Sequence, residues 1–358
     1  MSSEKSNETE KFVISIAKTT AKVSILAAFS GLIFVFVFIW KGSLFPISDV
    51  PVIQKKVVKI SVGGKTDKTD KYWSAPTDEL IPAGKYGNMI RYGRELVSHT
   101  ARYYGPHGSL AKISNGMNCQ NCHLQGGTKI FANNFSVFFA SYPKMGARSG
   151  KKEVVFNRIF DCFNRSLNGK APAAKTKEIQ SMLAYMKWLG AGVKKGMKVF
   201  GTASEKLKYM DKPADPVKGR LVYLARCASC HKSDGGGTLS ADKKEYTYPP
   251  LWGANSYNDG AGLFRLSNFA GFVKNNMPFG TSYPNAQLSD AEAWDVAAFV
   301  NSQARPHKDP SKDYPDLKKK PIDAPFGPYA DKFTANQHKF GPYAPIAAFY
   351  KNLNKLKT

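Results

Sequence analysis

A mainly α-helical chain of two tandem, similar domains with long loops, preceded by one N-terminal transmembrane helix, is the fold the sequence predicts. Three observations predict it. The pattern C-x-x-C-H occurs twice, from Cys119 to His123 and from Cys227 to His231. Each copy is preceded by a segment of helical apolar spacing and followed, after a long loop region, by another. Ahead of both lies an uncharged run of 18 residues, Val23 to Trp40, bracketed by Lys22 and Lys41. The 358 residues exceed the roughly 100–200 of one domain and can bury two cores. A net charge of +25 first suggests a nucleic-acid partner, but no nucleic-acid-binding motif accompanies it, and 42% hydrophobic residues exclude a largely disordered basic chain.

As a helix the uncharged run spans about 27 Å, close to the roughly 30 Å of a bilayer's hydrocarbon core. A cleaved signal peptide is the competing reading, but its apolar stretch is normally about 7–15 residues and closes on small residues. This run closes on Phe38, Ile39 and Trp40. Lysines lie on both sides of it, so the positive-inside bias does not orient the span. The predicted divisions are a cytoplasmic N-terminus (1–22), a transmembrane anchor (23–40), a polar tether (41–71), a first domain (72–200), a linker (201–214), a second domain (215–305) and a Pro-rich, irregular C-terminal wrap (306–358) that repeats FGPYA at 326–330 and 340–344.

In the first half, Met89 with Leu96 and Ile90 with Val97 keep helical spacing, and a helix from Lys177 to Leu189 follows Thr176. In the second, Asp215 is an N-cap before the first-turn Pro216, and Val217, Leu221 and Leu224 share one face. The closing helix, Asp290 to Gln303, carries a capping box of Ser289 and Glu292.

The C-x-x-C-H spacing has a chemical reason. Two thiols three positions apart reach the two vinyl groups of one porphyrin, and the adjacent imidazole meets the iron. A zinc pair or a redox C-x-x-C is the bland alternative to one copy. Two copies, using four of the five cysteines, predict two covalently bound haem c groups, attached through Cys119 and Cys122 and through Cys227 and Cys230, with His123 and His231 as proximal ligands. The halves are then tandem cytochrome c domains. Haem attachment of this kind takes place outside the bacterial cytoplasm, which puts the globular part in the periplasm, held to the inner membrane by its N-terminal anchor. Four ionised propionates would lower the charge from +25 to about +21.

The distal ligand decides between a carrier and an enzyme. Met277 is the only methionine after His231 and lies 12 residues before Ser289; its alternative role is to fill a gap in the core. Cys162 lies 14 residues before Thr176, nearly the same station in the first half. A thiolate ligand there would lower the first haem's potential and give electrons a downhill route to the second. The alternative is an inert buried Cys162, with Met145 as ligand. A thiolate is also a nucleophile toward sulfur. Arg148, Arg158, Arg165, Ser166 and Lys170 surround it in sequence, either as solvated surface or as an anion pocket. His99, His107, His307 and His338 lack ligand spacing and read as structural or surface residues.

With NCQNCHLQGGT, RIFDCFNRSLNGK, PPLWGANSYNDGAG, NMPFG and LSDAEAWDVAAFVNS, the sequence resembles the thiosulfate dehydrogenase family of dihaem cytochromes, which interconvert thiosulfate and tetrathionate. The resemblance runs from about Trp73 to Pro345, and Arg158 to Gly169 is its most specific piece. It implies that Cys162 ligates the first haem and is catalytic, that Arg148, Arg158 and Ser166 bind substrate, and that Met277 ligates the second haem. Some members carry an alternative lysine ligand immediately before that methionine; here the position is Asn276, with Lys274 two residues further back. The implied partners are thiosulfate or tetrathionate and a redox protein such as a small cytochrome c or a membrane electron-transfer complex. The competing classes are a dihaem carrier without a substrate site and a Sox-type cytochrome that transfers thiosulfate to a carrier protein. A dihaem peroxidase needs an open haem position, which the Cys162 motif argues against.

Overall fold

The computed structural model describes residues 72–355; the expected N-terminus, anchor at Val23 to Trp40 and tether to residue 71 lie outside the described residues. Among the described residues no helix is long and apolar enough to cross a membrane. The architecture rests on helices α1 (Gly84–Ser98), α2 (Val155–Asp161), α3 (Lys177–Leu189), α4 (Pro216–Arg226), α5 (Leu266–Asn276), α6 (Asp290–Ser302) and α7 (Ala344–Lys355). Strand structure is limited to two short antiparallel pairs, Lys144–Met145 with Lys152–Glu153 and Thr238–Leu239 with Tyr246–Tyr248.

The caps fall where the sequence puts them. The Thr176 hydroxyl accepts from Ile179 N at 3.4 Å, and the Asp215 carboxylate accepts from Val217 N at 2.8 Å. Ser289 and Glu292 exchange hydrogen bonds, Glu292 N to Ser289 Oγ at 3.2 Å and Ser289 N to Glu292 Oε2 at 2.8 Å. Each cap satisfies backbone donors that the first helical turn leaves unpaired. α6 stops at Ser302, one residue short of the expected end.

Each half is built on one crossing of helices, and the two crossings use the same device. A Cβ at Gly93 of α1 would lie 1.9 Å from the Ser181 carbonyl oxygen of α3; a Cβ at Gly219 of α4 would lie 1.9 Å from the Asp295 carbonyl oxygen of α6. Only glycine lets backbones approach that closely. The crossing also decides which face of α4 is inside: Gly219 and Tyr223 are buried, while Val217, Leu221 and Leu224 are 75%, 64% and 42% exposed. The apolar stripe read from the sequence therefore faces outward.

The two halves have separate cores, one around Ile90, Leu96, Phe163, Ile179, Met182 and Tyr185, the other around Tyr223, Tyr257, Phe272, Trp294, Val296 and Ile346. Both lie in one compact unit. Cross-links join them: Asn115 Nδ2 donates to Ser256 O at 3.0 Å, Asn258 Nδ2 to Asn164 O at 2.9 Å, and Asn276 Nδ2 to Phe131 O at 3.1 Å. The linker takes part in the packing, with Leu207 and Ala214 buried in the second core. Apart from one 3-10 turn, Leu317–Lys319, the tail is irregular to residue 334, but it then forms a short helix, Ala335–Phe340, and α7. The FGPYA copies anchor it, since Tyr329 stacks on buried His338 at 3.7 Å and Tyr343 is buried in the second core.

Candidate active site

In the first half the attachment motif opens with a tight turn, Cys119–Asn121. Asn118 fixes it, accepting from Ala101 N at 2.8 Å through Oδ1 and donating its own backbone N–H to Asn121 Oδ1 at 2.6 Å. His123 stacks on Phe135 at 4.6 Å between ring centroids. Its Nδ1–H donates to the Asn133 carbonyl at 2.6 Å, which leaves the Nε2 lone pair free for a metal. Burial lowers the His123 pKa to about 4, so the ring is neutral, the form that ligates.

Cys162 comes from a different element. It opens a π-helical turn, Cys162–Ser166, that continues α2, with Leu167 N reaching back to Cys162 O at 2.9 Å. Such turns widen a helix and re-aim its side chains. Asn168 follows in the left-handed region (φ 41°), and Gly169 passes so close to the Ile113 carbonyl oxygen that a Cβ would lie 1.9 Å from it. These two residues return the chain tightly under the π turn.

A cavity of about 580 Å³ collects Cys119, Cys122, His123, Arg158, Cys162 and Ser166, and its remaining walls are mostly Phe135, Phe138, Ile159, Phe163, Leu167, Met182 and Met186. Two thiols and an imidazole in the lining of a mostly apolar cavity, with a third thiol lining the same space, fit a haem c attached at Cys119 and Cys122. The Arg158 pKa is raised, with its coulombic interaction with the Cys162 sulfur ahead of an opposing effect of burial. Met145, the competing ligand, is 66% exposed on its short strand and does not line the cavity. Met117, Met182 and Met186 do, and no sequence motif distinguishes them from ordinary core methionines.

The predicted anion pocket divides. Arg158 and Ser166 face the cavity. Arg165 is buried and paired with Asp313 through two hydrogen bonds of 2.9 and 2.7 Å, and Lys170 is exposed. Arg148 lines a separate cleft of about 420 Å³ with Asp313, Tyr314 and Arg265; its Nη1 donates to the Gly260 carbonyl at 2.7 Å. Arg165 donates to the same carbonyl at 3.3 Å.

The second motif repeats the histidine device. Cys227 caps a single turn, Ala228–His231, and His231 Nδ1–H donates to the Pro249 carbonyl at 2.8 Å, with burial lowering its pKa. Met277 caps the end of α5 and packs against the second core with Cys227, Leu251 and Trp252. Lys274 is directed elsewhere, to the Leu288 carbonyl at 2.6 Å and Asp290 at 2.9 Å. Of the other histidines, His99 and His307 pair with Glu245 and Asp259, and His338 is held between Ile322 O and Asp331.

Residues 216–304 match the cytochrome c family. A thiosulfate dehydrogenase of Allochromatium vinosum is 41% identical over 237 residues, covering 65% of this chain and 84% of the relative. The chain belongs to the thiosulfate dehydrogenase family of oxidoreductases. Thiosulfate dehydrogenases of Stutzerimonas stutzeri (36% identical over 66% of this chain and 74% of the relative) and Thiomonas intermedia (33%, 72% and 78%) agree. A solved thiosulfate dehydrogenase of Marichromatium purpuratum, TsdBA, superposes with a TM-score of 0.60 at 30% identity, covering 66% of this chain. This chain spans half the length of that protein. Membership in the family and the cytochrome c match make covalently bound haem c its cofactor.

Proposed function

We propose that this family member oxidises two thiosulfate ions to tetrathionate, or runs the reverse reaction, at Cys162, and exports the electrons through the second half. The observation that carries the reading is the single cavity in which Cys162, Arg158 and Ser166 meet the attachment residues Cys119, Cys122 and His123. His123 and Cys162 would hold one haem c, and His231 and Met277 a second. When bound, haem c at these ligands would supply one-electron redox chemistry, with a small cytochrome c or a membrane electron-transfer complex as the redox partner.

The chain's own residues account for the rest. Arg158, desolvated beside the Cys162 sulfur, pairs with a sulfo-oxyanion far more strongly than an exposed arginine does. Ser166 adds a hydroxyl donor, and Arg148 joins by exchanging the Gly260 carbonyl for a sulfo-oxygen. The outer sulfur of the first thiosulfate bonds to Cys162 Sγ with loss of two electrons. A second thiosulfate attacks that outer sulfur, forming tetrathionate and returning the Cys162 thiolate. Atoms and charge balance over the cycle: two thiosulfate ions give one tetrathionate and two electrons. The excess of basic residues over the surface draws dianions and an acidic partner inward. An N-terminal anchor at Val23 to Trp40 would keep this chemistry at the periplasmic face of the inner membrane.

The test is turnover by the purified holoprotein with an artificial electron acceptor and thiosulfate, with products separated by ion chromatography. Acceptor reduction matched by half as much tetrathionate as thiosulfate consumed is expected. A holoprotein that exchanges electrons with small cytochromes but forms no tetrathionate, and reduces none, is a carrier and overturns the reading.

A further inference from the structure

Helix α4 turns an apolar stripe outward. Val217, Leu221 and Leu224 are 75%, 64% and 42% exposed. At 3.6 residues per turn these side chains fall within an arc of about 60°, opposite Gly219 and Tyr223, which are buried against α6. Arg220 borders the stripe on one side and Lys218 on the other, both exposed. From Lys212 to Lys232 the chain carries the exposed cations Lys212, Lys218, Arg220, Arg226 and Lys232 and a single acid, Asp215. Asp215, Glu292 and Asp295, the acids close to Lys218 and Arg226, are already engaged, each accepting a backbone N–H at 2.8 Å.

Single exposed leucines need no explanation, but a bare stripe with a cationic border has the anatomy of an interface, an apolar centre inside a charged rim. Its position says what kind. Leu224 stands three residues before Cys227, so a haem attached there is bonded to the end of this helix; Cys227 and Cys230 are themselves only half-buried. Phe279, 87% exposed, stands two residues after Met277, which packs against the same core as Cys227. One side of an 11-residue helix is far too little for a permanent second copy, which buries roughly 2,000 Å² or more, and suits a transient redox encounter of under about 1,200 Å². A net charge of +25 also repels a second copy and attracts an acidic partner.

We infer that α4 is the docking face for the electron partner, a small acidic redox protein whose cofactor edge opens through an apolar patch ringed by carboxylates. Val217, Leu221 and Leu224 fill the dry centre, and Lys218 and Arg220 meet the carboxylates at the rim. In each encounter one electron leaves the second half and reduces the partner's oxidised cofactor by one. The assignment rests on the haem c proposed for the second half and not on thiosulfate turnover.

The test is stopped-flow oxidation of the chemically reduced wild-type holoprotein by a small cytochrome c with succinylated lysines, beside the double variants Val217→Ser/Leu221→Ser and Lys218→Glu/Arg220→Glu. All four positions are exposed, so both variants are expected to keep two haems, counted by mass. The wild-type rate constant is expected to fall as ionic strength rises, and each variant to lose about tenfold at low salt, while oxidation by a small uncharged reagent stays unchanged. A serine variant within about twofold of wild type, with two haems attached, overturns the assignment, because steering by charge then acts without docking on the stripe. A single haem by mass removes instead the reading of the second half, and this inference with it. Wild-type dimers that the serine variant breaks in sedimentation, or anionic vesicles that only the wild type binds, give the face to a second copy or to a membrane surface and overturn it as well.

Discussion

Glu245 ties the two halves together beside the first haem-attachment motif, and removing its carboxylate should loosen the whole unit. Its side chain is 10% exposed and accepts from Arg102 Nε at 2.7 Å, Asn118 Nδ2 at 2.9 Å and His99 Nδ1 at 3.0 Å. Asn118 is buried, so Glu245→Ala leaves its amide unpaired, a loss of about 1–3 kcal/mol. The Arg102 and His99 side chains are 39% and 36% exposed and can turn to water, which limits each to roughly 0–1 kcal/mol. The expected total is about 1–5 kcal/mol, a fall in melting temperature on the order of 10 °C. Burial alone would raise the Glu245 pKa, but the bonds from His99, Arg102 and Asn118 outweigh it and leave the carboxyl below its ordinary value of 4.5. A group whose folded-state pKa is depressed contributes stability above its unfolded pKa and loses it as pH falls through the folded one. The gap between wild type and Glu245→Ala should therefore be full at pH 7 and narrow below about pH 4.5. Chemical unfolding of the two holoproteins at pH 7 and at pH 4 measures it. A gap under about 1 kcal/mol at pH 7, or one of equal size at both pH values, would refute the reasoning.

Further outcomes follow from other contacts. Gly219→Ala forces α4 away from the Asp295 carbonyl, and overpacking of this kind costs about 1–3 kcal/mol or more in denaturant unfolding; an unchanged midpoint would show that α4 can shift freely. Arg158→Leu removes charge-assisted bonds to the dianion, each about 1.5–3 kcal/mol, so kcat/KM for thiosulfate should fall by roughly 10-fold to 100-fold, and Arg148→Leu, which starts outside the cavity, should cost less. Lys274→Met should leave the spectrum and potential of the second haem unchanged, because Lys274 is engaged by Leu288 O and Asp290; a shifted spectrum in redox titration would reveal lysine ligation.

The parts legible in the sequence were those in which few residue types can do the job. The Ser289–Glu292 box and Asp215-Pro216 have little alternative meaning, and each caps its helix in the structure as its pattern implies. The stripe of Val217, Leu221 and Leu224 misleads because α4 packs through a glycine notch, and the contact residue then has no side chain to enter an apolar pattern. Glu245 lies in the charged stretch ADKKEY, where no pattern singles it out; only the fold brings it to Asn118 and Arg102, more than a hundred residues away. α7 was hidden by the prolines before it. Arg148 and Arg165 flank Cys162 in sequence, yet Gly260 of the second half and Asp313 of the tail hold both outside the cavity.

The central claim is that the fifth cysteine performs the sulfur chemistry, and thiosulfate turnover by Cys162→Ala tests it most directly. The variant should retain both covalently attached haems, verified by mass and by its reduced absorption bands. Its rate of tetrathionate formation should drop by at least about 1,000-fold, in keeping with the loss of a covalent nucleophile. A variant with both haems in place and thiosulfate oxidation near the wild-type rate would contradict the account.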